Sequence, residues 1–108
     1  MDDCIFCKIV RGQIPAQKLY EDEEFVAFND IRPAAPVHFL IIPKDHIPSL
    51  AEVSQEHVGL LGRMLQLAPT LAAQQGLAGG FKVHINTGKD GGQEVFHLHL
   101  HVLGGKRV

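Results

Sequence analysis

The chain has 108 residues, 45% of them hydrophobic, and ten basic against twelve acidic side chains leave a net charge of −2. This length suits one domain over 1–108, whose folding would hide about two-thirds of the unfolded surface, and the composition excludes intrinsic disorder. The lack of a basic run argues against a duplex nucleic acid partner, and no apolar run approaches the roughly 18 residues of a membrane span.

Met1-Asp2-Asp3 lacks the positive start of a secretion signal, so a cytoplasmic location is expected. The only cysteines, Cys4 and Cys7, form a C-x-x-C, which in a reducing compartment reads as metal binding or redox exchange. Residues 4–12 suit a short helix or turn closed by Gly12. Strands are expected over 18–21 and 24–29, with Asp22-Glu23 at the bend of a hairpin. The prolines of 30–36 demand a loop. Val37 to Ile42, apolar on both faces, reads as an internal strand ended by Pro43.

Ser49-Leu50-Ala51-Glu52 has capping-box spacing. Ser54 is placed to cap a long helix over 55–75, with Gly76 at its exit. Leu61, Met64, Leu65, Ala68, Leu71 and Ala72 form its apolar stripe, and Pro69 predicts a kink or an early end. Strands over 81–86 and 94–103 complete an α+β domain: one five-stranded antiparallel sheet, one long helix and a short N-terminal one, with the helices against one face.

The last strand carries the chemistry. In Glu94-Val95-Phe96-His97-Leu98-His99-Leu100-His101-Val102-Leu103 the alternation turns Phe96, Leu98, Leu100 and Val102 one way and three histidines the other. One such histidine would be an ordinary core residue, but a row of three suggests nucleophile, proton carrier or metal ligand. Residues two apart on a strand lie roughly 6.5–7 Å apart, too far for all three to share one ion with bonds of about 2 Å, so separate roles are expected. Upstream, the glycine-rich Asn86 to Gln93 loop could bring backbone N–H groups against a phosphate.

His97-Leu98-His99-Leu100-His101-Val102-Leu103 resembles the histidine triad motif, and the chain is similar to the Hint branch of that family, the histidine triad nucleotide-binding proteins, from Ile5-Phe6-Cys7 through Ala27-Phe28-Asn29-Asp30 to Gly105. The resemblance implies a homodimer with its sheet continued across the interface, and a purine nucleotide ligand. It implies that His99 attacks the α-phosphorus, that His101 donates to the phosphate oxygens, and that His97 and His38 support His99 from behind. Asp30 would take the ribose hydroxyls, Phe28 and Ile31 would wall the base, and Asn86, Gly92, Gln93 and the N–H of Glu94 would cradle the phosphate. The Glu94 side chain should turn away or attract a cationic amine.

Similarity to zinc-binding bacterial members adds His46 and His97 to Cys4 and Cys7 as ligands of a structural Zn²⁺ that catalysis does not require. The implied reaction is hydrolysis of the P–N bond in purine nucleoside 5′-phosphoramidates such as adenosine 5′-monophosphoramidate, or of aminoacyl adenylates. Alternatives are cleavage of dinucleoside polyphosphates, a nucleotide-binding scaffold, and a metal hydrolase using all three histidines. Relatives with a tail beyond the Gly-Gly use it to tune the leaving group, whereas Lys106-Arg107-Val108 is short. His57 should be solvated, and His84, on the Lys82-His84-Asn86 face, could be near the site or merely exposed.

Overall fold

The structure, a computed structural model, describes residues 3–105. The expectations resting on Met1-Asp2 and on Lys106-Arg107-Val108 lie outside the described residues. Helix α1 (Ile5–Val10) is followed by strands β1 (Lys18–Glu21), β2 (Phe25–Asn29) and β3 (Val37–Pro43), helix α2 (Val58–Gln74), and strands β4 (Lys82–His84) and β5 (Leu100–Gly104). The strands form one antiparallel sheet in the order β1-β2-β3-β5-β4. Among the described residues no helix is long and apolar enough to cross a membrane.

Both helices stop in the same way. After α1, Gly12 N–H bonds Ile9 O and Gln13 N–H bonds Lys8 O; after α2, Gly76 N–H bonds Ala73 O and Leu77 N–H bonds Ala72 O. Each glycine has the positive φ that this pair of bonds requires.

The sheet has two apolar faces, which corrects the expectation that both helices share one. Phe25, Ala27, Phe39, Ile41, Leu100 and Val102 pack under α2. Val26, Phe28, Leu40 and Ile42 point the other way and take Phe6 and Ile9 of α1. Strand alternation puts His38 of β3 and His101 of β5 on this second face.

Two further expectations, the start of the long helix and its buried stripe, need correction. α2 is preceded by a separate 3₁₀ turn over Gln55–His57, so Ser54 caps that turn, and at the surface His57 Nδ1 accepts from Ser54 N–H at 3.0 Å. α2 then runs through Pro69 to Gln74. Pro69 is exposed, as is Leu65, whose carbonyl loses its helical partner to the proline, so water can serve that oxygen. The buried stripe is Leu60, Met64, Ala68, Leu71 and Ala72, while Leu65 is 51% exposed. A helix advances about 100° per residue, and centring the stripe on 60, 64 and 68 rolls 65 to the outer flank.

The largest departure is the histidine strand. β5 begins only at Leu100, residues 95–97 form a bend, and Phe96 is 47% exposed. The β3–β5 register pairs Ile41 with Leu100, which would set Pro43 against Leu98, but proline has no N–H to continue the ladder. Leu98 N–H instead bonds Ile47 O at 2.7 Å, and Pro43 O accepts the Nε2–H of His97 at 2.8 Å. β4 is likewise shorter than the expected 81–86.

Candidate functional site

The three histidines divide between two places: His97 sits with the cysteines, and His99 and His101 line one cavity. His97 is fully buried and its ring faces α1, where Nδ1 lies 3.4 Å from Cys4 Sγ and 3.6 Å from Cys7 Sγ. His46 Nδ1 lies 3.3 Å from Cys7 Sγ, and the four possible ligand atoms of Cys4, Cys7, His46 and His97 are all within 4.8 Å of one another. Since Pro43 O can only accept, His97 keeps its proton on Nε2 and turns a bare Nδ1 to the thiols. Burial, and then the neighbouring Cys4, push the Cys7 thiol above its ordinary range, a penalty that a cation ligated by thiolate removes. This group can hold a metal ion.

His99 is 7% exposed, and the surface it keeps lines a cavity of about 430 Å³ on the α1 face. Its Nδ1 lies 2.7 Å from the carbonyl oxygen of His97, so the proton sits on Nδ1 and the lone pair on Nε2. The edge-on ring of Phe6, with centroids 5.1 Å apart, packs against it. Burial lowers its pKa, which keeps the imidazole neutral.

His101 lines the same cavity, and its partner is His38: Nε2 of His38 is 2.9 Å from Nδ1 of His101. Ala34 N–H donates to His38 Nδ1 at 3.0 Å, so the proton of neutral His38 is on Nε2 and points at His101. His101 then holds its own proton on Nε2. Asp30 Oδ2 lies 3.4 Å from His38 Nε2. Burial lowers the pKa of His38, and burial followed by the charges of His99, His84 and His38 lowers that of His101 to about 4. Asp30, His38 and His101 could also be read as a metal cluster. Metal on His38 Nε2 would strip the ring of its last proton while Nδ1 still accepts from Ala34, so this trio is a proton-ordered chain.

The expected support of His99 is therefore divided differently. It is the main-chain oxygen of His97, not its ring, that holds His99, and His38 stands behind His101.

Phe28, Asp30 and Ile31 line one end of the cavity, and Asn86, Gly92 and Glu94 line another. Asp30 Oδ1 accepts from Arg32 N–H at 2.8 Å, which fixes the loop after β2. Asn86 Nδ2 donates to Gly91 O at 2.9 Å. Gln93 is turned inward, away from the expected phosphate contact. Its Oε1 accepts from Gly88 N–H at 2.9 Å, and its Nε2 donates to Pro48 O and Val95 O at 2.8 and 3.0 Å. Gln93 shapes the loop from behind.

That α1 walls the cavity through Ile5, Phe6 and Ile9 was missed in the sequence. A signal was there: Cys4, the N-cap of α1, and Cys7 lie one turn apart, which leaves the other apolar positions of the helix to face elsewhere.

A sequence profile described as "Scavenger mRNA decapping enzyme C-term binding" matches residues 3–107. The chain is 60% identical to Protein HitA of Neisseria gonorrhoeae, over 96% of this chain and 97% of that one. It is 47% identical to the purine nucleoside phosphoramidase of Escherichia coli K12, over 97% of this chain and 89% of that one. Among solved structures, a HIT family hydrolase from Legionella pneumophila superposes with a TM-score of 0.94 at 47% identity, covering 97% of this chain and 95% of that one. A Zn-bound histidine triad family protein from Mycobacterium smegmatis gives 0.84 at 40% identity, covering 97% and 76%. Fold, motif and relatives agree over nearly the whole length: the chain belongs to the histidine triad (HIT) family.

Proposed function

We propose that this protein hydrolyses the P–N bond of purine nucleoside 5′-phosphoramidates through a nucleotidyl-His99 intermediate. The observation that carries the reading is the bare Nε2 of a neutral His99 in a cavity that ends in a glycine-rich loop. The 47% identity to a purine nucleoside phosphoramidase supports the substrate class.

In this reading Phe28 and Ile31 hold the purine between apolar surfaces, and Asp30 accepts from the ribose hydroxyls. Asn86, Gly92 and the N–H of Glu94 meet the α-phosphate, while Gln93 keeps their loop in shape. His99 Nε2 forms a bond to phosphorus as the P–N bond breaks. The leaving amine takes the Nε2 proton of His101, while His38 keeps its Nε2–H on Nδ1 of His101, and the attacking water of the second step returns a proton to His101 Nε2. That water attacks the nucleotidyl-imidazole, releasing the nucleoside monophosphate and the free Nε2 of His99.

Zn²⁺ is the ion that the four-ligand group fits. In a tetrahedron with Zn–S of about 2.3 Å and Zn–N of about 2.0–2.1 Å, sulfur and nitrogen stand about 3.5 Å apart. The S–N pairs here span 3.3, 3.4 and 3.6 Å. When bound, the ion cross-links α1 to the segment before β5 and takes no part in the reaction. The bond from His97 Nε2–H to Pro43 O is of the kind that orients zinc-ligating histidines.

The chain also acts as a homodimer through β4, an edge strand of the sheet. Phe81 and Val83 at this edge and Val58 and Leu65 on α2 are exposed apolar residues, which pairing with a second copy would cover.

The test is to stop the reaction with a slowly hydrolysed phosphoramidate and locate the nucleotide by peptide mass analysis. An adduct on His99 is expected. An adduct elsewhere, or turnover of dinucleoside polyphosphates with phosphoramidates left intact, overturns the reading.

A further inference from the structure

His84 belongs to neither apolar cluster, yet it has a definite partner. The β4–β5 register sets it directly opposite His101, and residues so opposed share a face of the sheet. The two rings stack, with centroids 4.3 Å apart and planes 16° from parallel. His101 is therefore held twice: at its edge by His38, 2.9 Å from Nδ1, and on its face by His84. The atom left over is Nε2, on a ring that lines the cavity.

We infer that His84 is a positioning residue of the reaction centre, whose ring, lying flat on His101, fixes the plane in which Nε2 of His101 meets the leaving group. The reaction it serves rests on the phosphoramidate reading above; the geometry does not. An imidazole free to rotate about its side-chain bonds would spend much of its time out of line, and alignment of a reacting group is a large part of what an enzyme contributes. One face of the His101 ring is closed by His84, so the ring cannot swing that way.

The stack has an electrical side as well. The groups that face His101 are His84 from β4, His38 from β3, His99 from the same segment, and Asp30 from the loop after β2; Lys82, on the His84 face of β4, adds its charge at His38. A proton on His84 opposes a second proton on His101, with Asp30 as the opposing influence. A doubly protonated His101 would aim Nδ1–H at the Nε2–H of His38 and break their bond. His84 therefore helps to keep His101 in the singly protonated form that faces the substrate.

Two variants of the full chain test this, with kcat, KM, the pH profile and the imidazole ¹H–¹⁵N spectrum as readouts. His84→Ala is expected to lower kcat about tenfold with KM changed less than about threefold, because only alignment is lost. It should also let His101 take up its proton at higher pH. His84→Phe keeps a flat ring without a charge, so it should hold kcat within about threefold of the parent while still raising the pH at which His101 protonates.

Sedimentation of each variant reports association at the edge strand, and His84→Phe decides the matter should His84→Ala alter it. Parental kcat and an unmoved His101 spectrum in His84→Ala would overturn the inference, as would a His84→Phe enzyme as slow as His84→Ala. Should the parent protein fail to turn over phosphoramidates, the substrate reading falls, and the His101 titration still decides the role of His84.

Discussion

His99 Nδ1 lies 2.7 Å from the carbonyl oxygen of His97, and that one bond decides which nitrogen of His99 is free to react. His99→Asn keeps a polar side chain of related shape and removes the proposed nucleophile. Its kcat is expected to fall by about 10³-fold or more, with nucleoside monophosphate affinity within about threefold of the parent. Single-turnover kinetics and equilibrium binding check the two halves separately.

The rate of attack should be insensitive to mild acid. An exposed imidazole is half protonated near pH 6.5, but burial lowers the pKa of His99. The neutral form therefore persists below that pH, and the single-turnover rate should stay level from pH 8 down to about 6 before it declines. A half-loss at about 6.5 would mean that the ring titrates as if it were in water.

Stability should follow the opposite logic to a salt-bridged histidine. His101 has its folded pKa lowered to about 4, mainly by burial. The unfolded chain, near 6.5, takes up the proton first as pH falls, so stability is complete above about 6.5 and drains away toward about 4. The loss from this ring is on the order of 2 kcal/mol once the water reaching its half-buried side is allowed for. Urea denaturation at several pH values should show the slope, and His101→Asn should flatten it.

On the zinc reading, removing two of its four candidate ligands should loosen the fold without touching the proposed chemistry. Cys4→Ser with Cys7→Ser is expected to lower Tm by about 10 °C or more in the presence of zinc, as loss of a tightly held ion does. In the double variant KM should rise, and adduct formation on His99 should persist. Metal content by atomic emission and scanning calorimetry provide the check.

Gln93 offers a separate test of the loop. Gln93→Met keeps its bulk and forfeits its three hydrogen bonds to main-chain groups, at a cost of about 2–3 kcal/mol. A side chain that touched only ligand would leave the urea midpoint unchanged.

Much of this was readable from the residues. β1 has the expected bounds because alternation and the Asp22 bend leave little choice, and the Schellman-type ends at Gly12 and Gly76 are local chemistry. Cys4, Cys7, His46 and His97 do come together. What the sequence could not convey is non-local. Only the β3–β5 register shows that Pro43 faces Leu98 and breaks the ladder, so a perfect alternation through Phe96 misleads. Likewise the stacking of His84 on His101 depends on how two strands far apart in the chain line up.

A six-residue helix has too few internal bonds to hold itself together in water. α1 and its N-cap Cys4 nonetheless supply both thiols and a side of the cavity, through Ile5, Phe6 and Ile9. On the zinc reading, whatever strips or oxidises the sulfurs would therefore slacken the place where a base would rest, and the availability of a trace element would become a dial on how tightly the cavity grips its ligand.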